Sequence, residues 1–83
     1  MTIEEIGEAI RVRADFAGGK ARPVEFRWGR RNYRVKTING EWTDRHGDGY
    51  SLHYSVQAGG ETYFLHFSSN DVQWWLDRVI LPG

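Results

Sequence analysis

Hydrophobic and polar residues alternate along most of this chain with a period of two, the spacing of strands that bury one face. Ile10, Val12, Ala14 and Phe16 alternate with Arg11, Arg13 and Asp15, and after the break AGGKARP the pattern resumes at Val24, Phe26 and Trp28. Gly29-Arg30 suits a two-residue turn of the II′ kind, which takes Gly first. That turn pairs Trp28 with Arg31, Phe26 with Tyr33 and Val24 with Val35, so the large apolar residues meet on one face. The opposite face then holds Glu25 across from Arg34 and Arg27 across from Asn32. A second hairpin is predicted at Gly59-Gly60, where Val56 faces Tyr63, Tyr54 faces Leu65 and Leu52 faces Phe67. Here turn chemistry and pattern agree. Asn39-Gly40 is an I′ hairpin signal between RVKTI and EWTD that pairs Thr37 with Trp42, although Val35 and Ile38 share a face only with a bulge.

The two ends are less regular. In TIEEIGEAI, Ile3, Ile6 and Ile10 have near-helical spacing behind a Thr2/Glu5 capping box, so residues 1–9 read as an N-terminal arm or a short helix. Toward the other end Val72, Trp75, Leu76, Val79 and Ile80 fit a helix capped by Ser69 or Asn70, while Trp74, Leu76 and Ile80 fit part of a strand. Periodicity alone favours the helix there. Residues 10–83 carry no linker, repeat or low-complexity tract and read as a single small β domain. The expected fold is all-β, a small twisted antiparallel meander or half-open barrel of about five to seven strands. Its core is predicted to contain Val24, Phe26, Trp28, Tyr33, Val35, Leu52, Tyr54, Val56, Leu65 and Phe67.

Composition supports that picture. Four Phe, four Tyr and four Trp in 83 residues give a short chain the large side chains a core needs, each able to bury about 150 to 250 Å². The absence of Cys excludes a disulfide framework, a thiol nucleophile and a Cys-based zinc site. No secretory signal or membrane-spanning run is visible, so a soluble, cytoplasmic protein is expected. The formal net charge is zero, yet all the Lys and Arg except Arg45 and Arg78 lie between Arg11 and Lys36, against Asp15 and Glu25 alone. FRWGRRNYRVK, residues 26–36, holds Arg27, Arg30, Arg31, Arg34 and Lys36 without an acid. Such a run is either the solvated face of a hairpin or a grip on nucleic acid.

Candidate chemistry is sparse. The Gly59-Gly60 register sets His53 opposite His66, two nitrogen donors for which spacing supplies no third ligand, so no metal site is predicted and the pair stays a weak candidate. Asp44, Asp48 and Asp71 form no recognisable catalytic pair, RHGDGY lacks the ligands of a calcium loop, and DFAGGKARP lacks phosphate-loop spacing. Neither an enzyme nor a cofactor is implied, and no small-molecule substrate is predicted. Trp74-Trp75 on a strand would put one indole in the core and the other, Trp75, at the surface, as a stacking platform or a protein-binding anchor.

The residues Arg22, Pro23, Phe26, Trp28, Gly29, Arg30, Tyr33, Val35 and Trp42 resemble the pattern of a family of short uncharacterised bacterial proteins: a GRP-like turn, FxWxGRxYxV, then a single Trp. A closing W-x-L-x-R-V of that pattern looks like Trp74, Leu76, Arg78 and Val79, with Trp75 as the alternative first position. The resemblance runs roughly from Ile10 to Leu81. It implies a domain of unknown function often encoded near lesion-bypass DNA polymerase genes, a final strand rather than a helix, and no catalytic or binding residues to transfer. The function expected is therefore a non-catalytic binding or accessory module. Its partner is nucleic acid, through the basic hairpin and Trp75, or a protein of DNA metabolism. The alternative is a protein-interaction adaptor using an edge strand or Trp75.

Overall fold

The computed structural model describes residues 1–82. Seven strands are formed: β1 (Thr2–Ala17), β2 (Lys20–Trp28), β3 (Arg31–Arg34), β4 (Thr37–His46), β5 (Gly49–Ala58), β6 (Glu61–Ser68) and β7 (Gln73–Leu81). They make one antiparallel sheet in the order β3-β2-β1-β7-β6-β5-β4, curled into a half-barrel. The all-β expectation is met, and among the described residues no helix is long and apolar enough to cross a membrane.

Strand β1 shapes this sheet. Its residues 2–10 pair with β7, from Thr2↔Leu81 to Ile10↔Trp74, and its residues 11–17 pair with β2, from Arg11↔Arg27 to Ala17↔Lys20. It is therefore handed from one neighbour to the other at Ile10/Arg11. Sixteen extended residues would reach about 50 Å if straight, whereas the longest dimension of the molecule is 39 Å. The strand bends, as strands do where they turn a sheet's corner. At the other corner the amide of Lys36 donates to the carbonyl of Gln57 (2.7 Å), carrying the chain from β3 into β4.

The core lies between the two limbs that β1 joins. Phe26 of β2 stacks on Tyr33 of β3 with centroids 5.1 Å apart and meets the edge of Tyr63 from β6, also at 5.1 Å. Val56, Leu65, Leu76 and Val79 complete its most buried part. The Tyr54 hydroxyl of β5 donates to the backbone carbonyl of Ala21 in β2, so a polar bond crosses the core where the limbs face each other. Predicted core positions Phe26, Tyr54, Val56 and Leu65 are buried, and Trp28, Tyr33, Val35, Leu52 and Phe67 pack against them half-buried. Ile10, Tyr63, Trp74, Leu76 and Val79 belong to the core as well.

Both hairpin registers predicted from turn chemistry are present. β2 and β3 pair Glu25↔Arg34, Phe26↔Tyr33, Arg27↔Asn32 and Trp28↔Arg31, with Gly29 at a φ of +64° that a two-residue turn of this kind requires. β5 and β6 pair Val56↔Tyr63, Tyr54↔Leu65, His53↔His66 and Leu52↔Phe67.

Two expectations are corrected. Residues 1–9 form neither arm nor helix, because residues from Thr2 onward are strand β1 and their backbone groups bond to β7; tertiary pairing overrides a short helical pattern. Residues 73–81 are strand β7, the final strand that the resemblance implies, and not the helix that periodicity alone favours. Asn39-Gly40 makes no hairpin: Ile38↔Val56 is followed by Gly40↔Ser55, so Asn39 is a bulge within β4 and Trp42 lies opposite His53, not Thr37. Val24 is likewise an extra residue, between Arg13↔Glu25 and Ala14↔Pro23.

Replacing Phe26 by Ala is expected to cost about 3 to 5 kcal/mol, since its ring is 1% exposed between two aromatic neighbours. Phe16, at the rim and 72% exposed, should change stability by no more than about 0.5 kcal/mol when truncated. Urea titrations of the two variants check the contrast. Alkaline pH supplies a second test. Burial, reinforced by the bond from its hydroxyl to Glu61, raises the Tyr63 phenol well above 10.0, and burial followed by Glu41 raises Tyr54. Groups whose folded pKa is raised contribute stability that is intact below the unfolded value and lost as pH climbs through the folded one. Stability should therefore fall above about pH 10, and less steeply in Tyr63→Phe, as read from melting temperatures across that range.

Candidate nucleic-acid interface

Polar positions of the alternation face outward and form two adjoining patches. The first is cationic and lies on β1, β2 and β3. Arg11 and Arg27 sit directly opposite each other, and Arg27 is flanked on its other side by Asn32. Arg13 pairs with the Glu25 carboxylate at 3.4 Å, and Arg34 faces the same Glu25 from β3. Among the described residues neither Arg11, Arg27 nor Arg34 has a carboxylate within ion-pair distance, so one acid serves four guanidinium groups. Arg11, Arg13, Arg27 and Asn32 line a shallow concavity of about 280 Å³.

The second patch is an aromatic row across four strands. Trp42, His53, His66 and Trp75 occupy successive cross-strand positions on β4, β5, β6 and β7. Their rings stack in sequence: Trp42 on His53 at 5.2 Å and 4°, His53 on His66 at 5.2 Å and 28°, His66 on Trp75 at 6.3 Å and 14°. Each inner ring thus has both faces covered, and only the outer faces of Trp42 and Trp75 are left without a stacked neighbour among the described residues. Trp42 is 47% exposed on the edge strand. Opposite Trp75 stands Ala9, whose methyl group leaves room beside the indole. Ala9 and Arg11 are two residues apart on β1, so the Trp75 end of the row meets the Arg11/Arg27 pair across the corner.

Aspartates secure the row. His66 Nδ1 lies 2.8 and 2.9 Å from the two oxygens of Asp77, and His53 Nε2 lies 3.2 Å from Asp44 Oδ2. Asp77 owes its position to irregular pairing on both sides. In the β6 ladder Phe64↔Arg78 is followed by Leu65↔Leu76, leaving Asp77 over. In the β1 ladder Glu5↔Arg78 is followed by Glu8↔Leu76, with Ile6 and Gly7 spanning the gap. Gly7 at φ +66° supplies the left-handed residue such a bulge uses. Leu76 and Val79 stay buried, while Asp77 reaches His66 and the neighbouring Arg78 lies over the Phe64 ring at 5.2 Å.

The residues singled out in the sequence are divided by this geometry. Arg27 and Arg34 lie on the outer face, joined by Arg11 and Arg13, and Trp75 is the half-buried indole on that side, while its neighbour Trp74 is buried. Arg30 is at the hairpin tip. Arg31 shares the inner side with Trp28 and stands over the Tyr33 ring at 5.8 Å, so it covers the rim of the core. Lys36 sits at the β3–β4 corner. Arg11 and Arg13 were legible as the polar phase of β1, but nothing in the sequence ties Trp42, Asp44 or Asp77 to the histidine pair. No family model matches the chain, and no curated protein or solved structure does either.

Like charges directly opposite on a sheet destabilise it. Arg27→Gln should therefore stabilise the domain by about 0.2 to 1 kcal/mol at low ionic strength, a gain that shrinks as salt screens the pair. Urea denaturation at low and high salt reads this out.

Proposed function

We propose that this domain is a non-catalytic binding module that holds single-stranded nucleic acid across its outer face. One observation carries the reading: Arg11 and Arg27 are opposed without a carboxylate in reach, beside an indole whose far face has no stacked neighbour. A phosphate placed between the two guanidiniums would relieve their repulsion and accept charge-assisted hydrogen bonds from both. A base stacked on Trp75 would then sit one strand away, about the 5 Å spacing of adjacent strands. Backbone phosphates held by Arg with bases on aromatics is the recurring mode of sequence-tolerant single-strand binding. The resemblance to proteins encoded near lesion-bypass polymerase genes adds a setting in DNA metabolism. A second reading, a protein-interaction adaptor, is favoured by β4, which is the last strand of the sheet and presents Trp42 on an unpaired edge.

Titrations of labelled single-stranded DNA and RNA at several salt concentrations test the proposal. Affinity should fall with salt at about −0.7 per phosphate contact. Arg11→Gln combined with Arg27→Gln should lower that slope by about one to two units, more than Arg30→Gln with Arg31→Gln. Trp75→Ala should weaken binding by about 1 to 3 kcal/mol with the slope unchanged. A flat salt response, or equal affinity in the Arg11/Arg27 variant, would refute nucleic-acid binding at this face and leave the adaptor reading in front.

A further inference from the structure

The histidine pair has a third donor that its spacing in the chain does not reveal. One donor atom from each of His53, His66 and Asp77 lies within 4.8 Å of the other two. We propose that these three side chains bind a late first-row divalent metal ion, of which Zn²⁺ is the representative.

The chemistry of the donors is right for such an ion, since imidazole nitrogen and carboxylate oxygen together suit zinc and its neighbours rather than calcium or magnesium. The movement needed is small. Zinc bonds of about 2.0 to 2.1 Å place tetrahedral ligands about 3.4 Å apart, so donors within 4.8 Å must close by at most about 1.4 Å, a distance side-chain torsions can supply. The His66–Asp77 contact of 2.8 Å is already shorter than that ligand spacing, and a metal there would take the place of the shared proton. Stacking between Trp42 and Trp75 restricts both imidazoles before any ion arrives, which lowers the ordering cost of binding. The side chains of His53, His66 and Asp77 are only 22%, 23% and 26% exposed, so the site is partly screened from water. Asp44, 3.2 Å from His53 Nε2, is the carboxylate that orients this ring, the usual companion of a metal-bound histidine. Solvent completes the coordination. The bulge leaves Asp77 without a partner on β6, so its carboxylate is free to turn toward His66.

The test uses the full chain, stripped with chelator and titrated with ZnCl₂ by calorimetry and by thermal unfolding. One equivalent should bind, and the melting temperature should rise by several degrees at concentrations well above the dissociation constant. His53→Gln and His66→Gln should abolish both effects. Asp77→Asn should weaken binding about tenfold or more, whereas His46→Gln, at the end of β4, should leave it unchanged. Ni²⁺ should quench the fluorescence of Trp42 and Trp75, and Co²⁺ should give the visible absorption of a tetrahedral nitrogen–oxygen site. This last readout uses unaltered protein, so it decides the matter even where a replacement disturbs folding. Absence of heat and of any melting response, binding that survives all three replacements, or a Co²⁺ spectrum like that of the hydrated ion would overturn the proposal. None of these outcomes depends on whether nucleic acid binds.

Discussion

The structure depends on one strand serving two partners in succession. β1 spends its first half on β7 and its second half on β2, so two limbs of the sheet share a backbone but no lateral hydrogen bonds at the changeover. That arrangement brings the limbs face to face and allows Phe26 and Tyr33 from one to pack on Tyr63 from the other. It also decides what the outside looks like. Each limb has an outer face of its own, cationic on one and aromatic on the other, and the corner in β1 sets them side by side.

How much of this the sequence carries follows from the range of the interactions involved. Hairpins are local: Gly29-Arg30 and Gly59-Gly60 state their own registers, and the alternating residues around them agree, so the pairs from Trp28↔Arg31 to His53↔His66 could be read directly. The ends of the chain are not local. Ile3, Ile6 and Ile10 have helical spacing because β1 breaks its own alternation at the Ile6/Gly7 bulge, and only the distant β7 reveals that the segment is extended. Val72, Trp75 and Val79 mislead for a related reason, since the bulge at Asp77 shifts the inward phase from Leu76 to Val79.

The same cause hid part of the candidate site. Arg27 and Arg34 sit on the outer face as their hairpin register requires, yet their closest basic companions, Arg11 and Arg13, come from a strand whose neighbour was not apparent. Trp42 was displaced from the expected register by the Asn39 bulge, which carries it opposite His53. Arg31, counted with the basic run, instead lies over Tyr33. A bulge adds one residue and leaves no compositional mark, so every element of the aromatic row beyond the two histidines depends on features that pattern reading passes over. One irregularity also shapes the chemistry of the outer face, because the bulge in β7 leaves Asp77 against the His66 imidazole. The opposed Arg11 and Arg27, by contrast, stand in regular register and run against stability.

The divided pairing of β1 bears on how the chain reaches its native state. The meander from β4 to β7 closes through neighbouring turns and can form early, because each pairing joins adjacent segments. β1 is different. Its first half pairs with residues Trp74 to Leu81, distant in sequence, while its second half closes locally on β2. Until β7 is in place, the segment from Thr2 to Ile10 has no neighbouring strand on that side, and the long loop that joins β1 to its partner must close against its own entropy. The pairing of β1 with β7 joins the residues farthest apart in sequence, the kind of non-local contact that slows folding. Substitutions that weaken it should slow folding to the extent that the pairing is formed in the transition state.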